Sequence, residues 1–231
     1  RLAEEALSHF ENGFDHMKVK LGFGIDDDLK CMESIGHALK NKNVTLMIDT
    51  NHAYGRSEAL KLGKNLQNYK LRWYEEPVVP EDIKGYAELR SKLNIPIAGG
   101  ENEHTLFGFK SLFENNAIDI AQPDIGSCGG ITGAKHIINL AHSFGVEVNP
   151  HVWGSAIAQA ASIQVIASIP VTHFSIFARE PILEYDQSSH PFRRELLSKP
   201  FELVNGMINI PDDKGLGIEV NLETIKKYKT N

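Results

Sequence analysis

The feature of this sequence that most constrains its fold is a regular alternation of short apolar segments with longer segments of helical pattern. The apolar segments are DHMKVKLGFG, VTLMID, LRWYEE, IPIAGG, IDIAQ, VEVN and, over residues 179–185, REPILEY. Strands that alternate with helices of this length are typical of βαβ units. We therefore expect an α/β fold built on a parallel sheet.

An ionisable residue stands at the C-terminal end of each predicted strand, and consecutive ones lie 23 to 33 residues apart. These residues are Lys20, Asp49, Glu75, Glu101, Asp124, His151 and Glu184. In an open doubly wound sheet the strand ends would spread along a line, whereas in a (β/α)₈ barrel they converge on one mouth. The sequence therefore predicts a TIM-type (β/α) barrel, incomplete at its N-terminus because its first strand is absent from the chain.

Charge and hydropathy narrow the classes of partner. The net charge is −6, which provides no broad basic surface and argues against nucleic acid and anionic membranes. The longest apolar stretch, Ile157 to Val171, is interrupted by polar residues and predicts a buried helix, not a membrane span. A small molecule is the expected partner.

Cysteine usage bears on the cellular compartment. The chain has two cysteines, Cys31 and Cys128, too few and too far apart for a disulfide framework or a zinc cluster. This usage favours a reducing, cytoplasmic location.

Three consecutive strand ends carry carboxylates, namely Asp49, Glu75 and Glu101. Each could by itself be a surface residue, but three carboxylates that meet in a cup of low dielectric constant repel one another strongly. A divalent cation relieves this repulsion, and ligands that are all oxygen favour Mg²⁺ or Mn²⁺ over zinc. The sequence predicts a metal site that offers open positions to a substrate carboxylate.

Two candidate acid/base units flank this predicted metal site. Lys18 and Lys20 lie on the same face of a strand, and a lysine beside a second ammonium group holds its proton less tightly. Asp124 behind His151 would fix the tautomer of the imidazole and stabilise its protonated form. Taken alone, the lysines also fit a solvated edge strand and His151 a hydrogen-bonded core histidine.

Together these groups define a reaction class. Two bases beside a metal that binds a carboxylate are suited to removing the proton alpha to that carboxylate, and Mg²⁺ with Lys18 would stabilise the resulting enolate. A Lys or His base with Mg²⁺ is the pattern that enolase-superfamily sites exemplify.

The chain resembles the enolase superfamily and, within it, the mandelate racemase subgroup. The resemblance rests on KVK, MIDTN, WYEEP, GGEN, QPDIGSCGG, NPHVWGSA and PILEYD, in the family's order from about residue 12 to residue 186. It implies an enzyme with a barrel domain, a homo-oligomeric assembly and a small carboxylate substrate. Family members also carry an α+β capping domain ahead of the barrel, and we expect it to be absent from this chain.

The resemblance also implies roles for individual residues. It assigns Asp49, Glu75 and Glu101 as Mg²⁺ ligands, with Lys20 as the base on one substrate face and His151, paired with Asp124, as the base or acid on the other. Glu184 would donate a hydrogen bond to the substrate carboxylate as a protonated acid. Asn51 and Trp153 would line the pocket.

Three functional hypotheses remain open on the sequence. The first is a lyase that dehydrates a sugar acid through an enolate. The second is a racemase or epimerase of a 2-hydroxy acid that uses the same residues, and the third is a non-catalytic barrel. We expect residues 1–195 to form the barrel and residues 196–231 to pack on the absent capping domain.

Overall fold

The structure is a computed structural model that describes residues 1–170 and 179–230. Its main sheet has six strands in the order β1-β2-β3-β4-β5-β6, and β1 to β4 pair in parallel. The strands are β1 (His16–Lys20), β2 (Thr45–Asp49), β3 (Tyr74–Glu75), β4 (Ile97–Gly99), β5 (Ile120–Ala121) and β6 (Glu147–Val148). This sheet confirms the predicted α/β class.

Helices alternate with these strands along the chain. They are α1 (Leu2–Glu11), α2 (Ile25–Ala38), α3 (Arg56–Leu66), α4 (Ile83–Lys92), α5 (Leu106–Glu114), α6 (Gly130–Ser143), α7 (Ala156–Ala167), α8 (Pro191–Arg194) and α9 (Leu222–Tyr228). A 3₁₀ helix spans Gln67–Tyr69, and a second, two-stranded sheet pairs β7 (Leu203–Val204) with β8 (Met207–Ile208).

Local sequence signals explain several helix starts. The Asp82 side chain accepts a hydrogen bond from the backbone N–H of Gly85 at 3.1 Å and so caps α4. Ser155 caps α7 in the same way, through the N–H of Ala158 at 3.3 Å. Three aspartates occupy the first turn of α2, where the positive end of the helix dipole favours negative charge. These caps fix where the chain turns from loop into helix.

The chain divides into two compact units. The first comprises Arg1–Gly99, Lys110–Ile120 and Val204–Met207, and the second comprises Gly100–Phe109, Ala121–Leu203 and Ile208–Asn231.

The core of the first unit lies on both faces of its strands. In β2 the residues from Leu46 to Asp49 are all buried, as expected for a parallel strand covered on both faces. Ile48 and Tyr74 are fully buried. Burial of an apolar side chain of this size contributes about 1.5–3 kcal/mol, so these positions anchor the strands that end in ionisable residues.

The predicted seventh strand over residues 179–185 is wrong, because the structure assigns no strand to those residues. The Asn149 side chain instead donates from Nδ2 to the carbonyl of Ile182 at 3.2 Å. Its Oδ1 accepts from the N–H of Ile182 at 2.9 Å. A side-chain amide therefore occupies both backbone groups of Ile182 that a neighbouring strand would otherwise bind.

The C-terminal part of the second unit contacts helix α7. Gln164 of this helix donates from Nε2 to the carbonyl of Pro211 at 2.9 Å. Leu197 and Val220 form an isolated antiparallel bridge. Packing of residues 196–231 on a capping domain stays a prediction.

The apolar stretch that begins at Ile157 forms α7 and continues to Val171, which lies outside the described residues. Within the described ranges, every helix is too short or too polar to span a lipid bilayer.

Candidate active site

The strands of the first unit bring three of the predicted site residues into one row. In the register of the sheet Lys20 lies beside Asp49, and Asp49 lies beside Glu75. Since neighbouring positions of a parallel sheet point their side chains to the same face, the three functional groups emerge side by side. The spacing of predicted strand ends in the sequence therefore corresponds to real proximity in this unit.

Lys18, two residues before Lys20 on strand β1, also contacts Asp49 and Glu75. Its Nζ donates to Glu75 Oε1 at 2.6 Å and lies 3.6 Å from Asp49 Oδ2. Lys20 Nζ donates to the same Asp49 oxygen. Lys18, Lys20, Asp49 and Glu75 are called the lysine cluster below.

The two lysines of this cluster differ in burial. The side chain of Lys18 is 11% exposed, whereas that of Lys20 is 56% exposed. Lys18 is therefore the more buried cation of the two. Lys20 has solvent access, while Lys18 is buried against Asp49 and Glu75.

Asp49 is ionised by its neighbours despite being buried. Burial by itself would raise the pKa of this carboxyl, but the positive charges of Lys18 and Lys20 outweigh it. The N–H of Asn51 adds a hydrogen bond to Asp49 Oδ1 at 2.8 Å. The net effect holds the pKa of Asp49 below its ordinary value, which keeps its oxygens available as anionic ligands.

Glu75 is fixed by a neighbour that the sequence analysis did not single out. Trp73 donates from Nε1 to Glu75 Oε2 at 2.8 Å, and both residues are buried. Their spacing of two along an extended segment was the available signal, because it places both side chains on one face.

A second missed residue, Glu76, lies one position further along. Asn51, His52 and Glu76 all have left-handed backbone, with φ of 45°, 51° and 44°. Glu76 is buried and its Oε2 lies 3.4 Å from Asn51 Nδ2 and 3.2 Å from His52 Nδ1. Non-glycine residues in this region cost about 1–3 kcal/mol each and persist where the surrounding contacts determine them. Glu76 thus holds the loop that carries Asn51 next to Asp49.

The loop after Lys20 is held by a buried carboxylate, Asp28. It accepts hydrogen bonds from the N–H of Gly22 at 2.9 Å and of Phe23 at 3.1 Å. Tyr54 donates its hydroxyl proton to Asp28 Oδ2 at 2.5 Å, and its oxygen accepts from the N–H of Gly24 at 2.9 Å. The chain that leaves β1 is therefore fixed immediately beyond Lys20.

The second unit assembles the histidine that the sequence predicts as an acid or base. His151 Nδ1 lies 2.7 Å from Asp124 Oδ2. Because an ionised carboxylate only accepts, Nδ1 carries a proton and Nε2 is left as the reactive nitrogen. Nε2 lies 3.4 Å from Glu101 Oε2 and 4.0 Å from Glu184 Oε2.

The carboxylates around His151 are themselves oriented by the backbone. Asp124 Oδ1 accepts from the N–H of Gly126 at 2.6 Å. Glu184 Oε2 accepts from the N–H of Val152 at 3.0 Å, one residue beyond the histidine. Glu101, Asp124, His151 and Glu184 are called the histidine cluster below, and in this unit the structure brings all four predicted residues together.

Trp153 is the remaining predicted site residue. It follows His151 by two positions and is 65% exposed. The guanidinium of Arg193 lies 5.6 Å from the centre of its ring.

Asp49 and Glu75 of the first unit and Glu101 of the second unit are the three carboxylates that the sequence predicts as metal ligands. The first two are fully buried and Glu101 is partly exposed. The donor set contains only carboxylate oxygens, which suits Mg²⁺ or Mn²⁺.

Comparison with known proteins identifies the family. Residues 1–225 match the model of the family described as enolase C-terminal domain-like. The chain belongs to the enolase superfamily. This confirms the resemblance drawn from the sequence motifs.

Two superfamily members share 39% identity with the chain. One is the D-galactarolactone cycloisomerase of Agrobacterium fabrum (strain C58), aligned over 98% of this chain and 60% of that protein. The other is the crystal structure of the 3,6-anhydro-D-galactonate cycloisomerase from Zobellia galactanivorans, which has a TM-score of 0.90 and covers 98% of this chain and 62% of its own.

A dehydratase of the superfamily is more distant. The crystal structure of an L-talarate/galactarate dehydratase mutant, liganded with Mg and L-glucarate, is 28% identical with a TM-score of 0.83. The match covers 97% of this chain and 52% of that one. The chain thus spans between about half and three fifths of the length of these enolase-superfamily relatives.

Proposed function

We propose that this protein catalyses Mg²⁺-dependent removal of the proton alpha to the carboxylate of a sugar acid, followed by loss of the beta oxygen substituent. The observation that carries the proposal is the His151–Asp124 pair, in which Nδ1 is bound and Nε2 is directed towards Glu101 and Glu184. In an enolase-superfamily chain, this pair supplies an acid that can protonate a leaving hydroxyl.

The metal would be held by Asp49, Glu75 and Glu101. These residues fit it because their oxygens are anionic and largely withdrawn from water, and because the two lysines keep Asp49 ionised. When bound, the cation supplies positive charge that stabilises the extra negative charge of the substrate carboxylate as the alpha proton leaves.

Lys20 is proposed as the base that accepts the alpha proton. Its amine must first give up a proton to do so, and Lys18 with the N–H of Asn51 then favours the ionised form of Asp49. The alpha proton comes to reside on Nζ of Lys20. Its solvent exposure gives a substrate access to it, and its contact with Asp49 orients it. Lys18, buried against Asp49 and Glu75, contributes fixed positive charge where negative charge develops.

His151 is proposed as the acid of the second step. The electron pair left at the alpha carbon forms a double bond to the beta carbon, and the beta C–O bond breaks. The protonated Nε2 gives its proton to the departing hydroxyl, which leaves as water, and the enol product tautomerises to a 2-keto acid. Asp124 stabilises the protonated ring, while Glu184 is proposed to bind the substrate carboxylate.

Cycloisomerisation of a lactone or anhydro acid is a second candidate, favoured by the two cycloisomerases at 39% identity. In that case the beta oxygen is part of a ring and stays attached to the product after its C–O bond breaks. The same base and acid serve both reactions, and only the fate of the oxygen differs.

The test is to incubate the purified protein and MgCl₂ with separate panels of aldonic acids, aldaric acids, and their lactones or anhydro forms. Dehydration predicts a keto acid with loss of water, whereas cycloisomerisation predicts a keto acid of unchanged mass. Deuterium uptake from solvent with inverted configuration and no keto acid would instead indicate a racemase or epimerase.

Chelation provides the control for the metal. Treatment with EDTA should abolish turnover, and Mg²⁺ or Mn²⁺ should restore it. Turnover that survives chelation would contradict the metal assignment. Absence of both product formation and deuterium uptake across all panels would overturn the proposed function and favour a non-catalytic barrel.

The cytoplasmic location and the homo-oligomeric assembly stay predictions.

A further inference from the structure

Two irregular segments of the second unit carry its functional side chains. His151 and Trp153 lie between β6 and α7, and Glu184 lies within residues 179–190, to which the structure assigns no strand. Outside regular structure, no ladder of backbone hydrogen bonds fixes the distance between two such segments. Side chains must supply that restraint.

Arg193 of helix α8 contacts both segments. Its Nε donates to the carbonyl of Gly154 at 3.0 Å. Its Nη1 lies 2.6 Å from Asp186 Oδ2 and donates to Ser188 Oγ at 2.7 Å. One guanidinium thus joins the backbone beside Trp153 to the chain two residues beyond Glu184.

The burial of Arg193 indicates that this geometry is firmly held. Its side chain is 11% exposed, and that of Asp186 is 25% exposed. Removing a guanidinium from water is costly unless several donors are satisfied, and here donors meet a carboxylate, a hydroxyl and a carbonyl. A planar fork with three fixed partners has little freedom to rotate.

The same guanidinium lies over one face of the indole of Trp153, 5.6 Å from its centre. A cation in this position is attracted by the ring. The tryptophan as a whole is nevertheless 65% exposed. A large apolar side chain at such exposure would be free to change rotamer unless a neighbour held it.

We propose that Arg193 is a positioning residue that holds the ring of Trp153 in place beside His151, so that its open face contacts the bound acid. The contact with an acid rests on the proposed function. The immobilisation of the ring does not. Loss of the contacts of Arg193 should weaken substrate binding more than it slows the chemical step.

The first experiment measures the ring directly, without any substrate. The chain contains two tryptophans, and Trp73 is 2% exposed, so collisional quenching of fluorescence by acrylamide reports mainly on Trp153. In Arg193→Lys we expect the quenching constant to rise and the fluorescence anisotropy to fall. Unchanged quenching and anisotropy in a folded variant would overturn the proposal.

Arg90→Lys is the matched control. Arg90 also donates to a carboxylate, Asp119, at 2.8 Å and to a backbone carbonyl, that of Asn116, at 3.4 Å, but it lies on helix α4 of the other unit. Circular dichroism checks that both variants fold. The control should leave the fluorescence of Trp153 unchanged, and a similar rise in both variants would also overturn the proposal.

The second experiment uses the acid that the wild-type protein turns over. Arg193→Lys should raise KM about tenfold and change kcat less than about threefold, the pattern of lost ground-state binding. Trp153→Ala should do the same, and the double variant should be no worse than Trp153→Ala alone, because the two residues act through one contact. Additive losses would overturn the proposal. If the wild type turns over no acid, the proposed function fails while the quenching experiment still decides the role of Arg193.

Discussion

The lysine cluster and the histidine cluster place similar chemical groups by different means. In the lysine cluster, Lys20, Asp49 and Glu75 lie on adjacent strands in register, so the backbone ladder of the sheet sets their spacing. In the histidine cluster, Glu184 and His151 lie outside the assigned strands. Bonds from side chains to the backbone, such as Asn149 to Ile182, hold those segments.

This difference teaches where each cluster is vulnerable. A position set by a ladder depends on many weak bonds shared among several strands, so a single substitution outside the cluster moves it little. A position set by one amide or one guanidinium depends on that residue. We therefore expect distant substitutions to affect the histidine cluster more than the lysine cluster.

The largest effect is expected from separating the chemical roles of the two clusters. Lys20→Met should lower both deuterium exchange at the alpha carbon and product formation by about 10²–10⁴-fold, because it removes the base. His151→Asn should lower product formation by a similar factor while exchange persists. Proton NMR in D₂O measures exchange, and a coupled keto-acid assay measures product.

The contrast between these variants decides the assignment. Loss of exchange in His151→Asn, with full exchange in Lys20→Met, would mean that the roles of the two clusters are reversed.

The next largest effect is expected at Asn149, whose side chain binds the backbone of Ile182 in place of a neighbouring strand. Asn149→Leu should lower the free energy of unfolding by about 1–3 kcal/mol, because the backbone groups of Ile182 lose both partners in a site where Asn149 is 2% exposed. Urea unfolding measures the change. Asn115→Leu is the control. Asn115 is exposed, follows the end of helix α5 and donates from its side chain to the carbonyl of Ser111 within that helix. Its substitution should leave the free energy of unfolding within about 0.5 kcal/mol of wild type. Equal effects of both substitutions would contradict the bracing role of Asn149.

The smallest effect is expected at the loop beyond Lys20. Tyr54→Phe removes the hydrogen bond that Tyr54 donates to Asp28 and the one that it accepts from the N–H of Gly24, and it should cost about 1–2 kcal/mol. Burial, reinforced by the bond to Asp28, raises the pKa of Tyr54 to about 12 from an ordinary value of 10.0. The folded protein therefore binds the phenolic proton more tightly than the unfolded chain does.

The sign of the pH dependence follows from this shift. The stabilisation is fully present below pH 10 and is lost as the pH rises through about 12. The difference in unfolding free energy between wild type and Tyr54→Phe should thus shrink over that alkaline range. A constant difference across the range would show that Tyr54 does not titrate with folding.

The sequence could predict the site residues that recur with the βα units of the fold. Lys20, Asp49 and Glu75 were predictable because each ends a strand, and strand ends recur at the length of one βα unit. The apolar pattern of REPILEY also suggested a strand, but its partner at Ile182 is the side chain of Asn149, and no periodicity encodes that contact.

Other contacts between residues distant in sequence could not be predicted either, because no periodicity of the sequence encodes them. Arg193 binds the carbonyl of Gly154, 39 residues away, and its own local pattern of a short helix after proline is unremarkable. The left-handed backbone of Glu76 depends on the loop that carries Asn51 and His52, so it too is a property of the packed molecule.

The amide of Asn149 fastens the following segment at Ile182, and the N–H of Val152 and the side chain of Arg193 bind it again at Glu184, Asp186 and Ser188. In a paired strand such as β2, inserting one residue would turn every later side chain to the opposite face. Attachments at separate points impose no such penalty, so residues can be gained or lost in the loop after Ser188 while these attachments survive. Chain length is therefore a variable that evolution, or a protein engineer, can adjust on this side of the molecule to accommodate acids of different size.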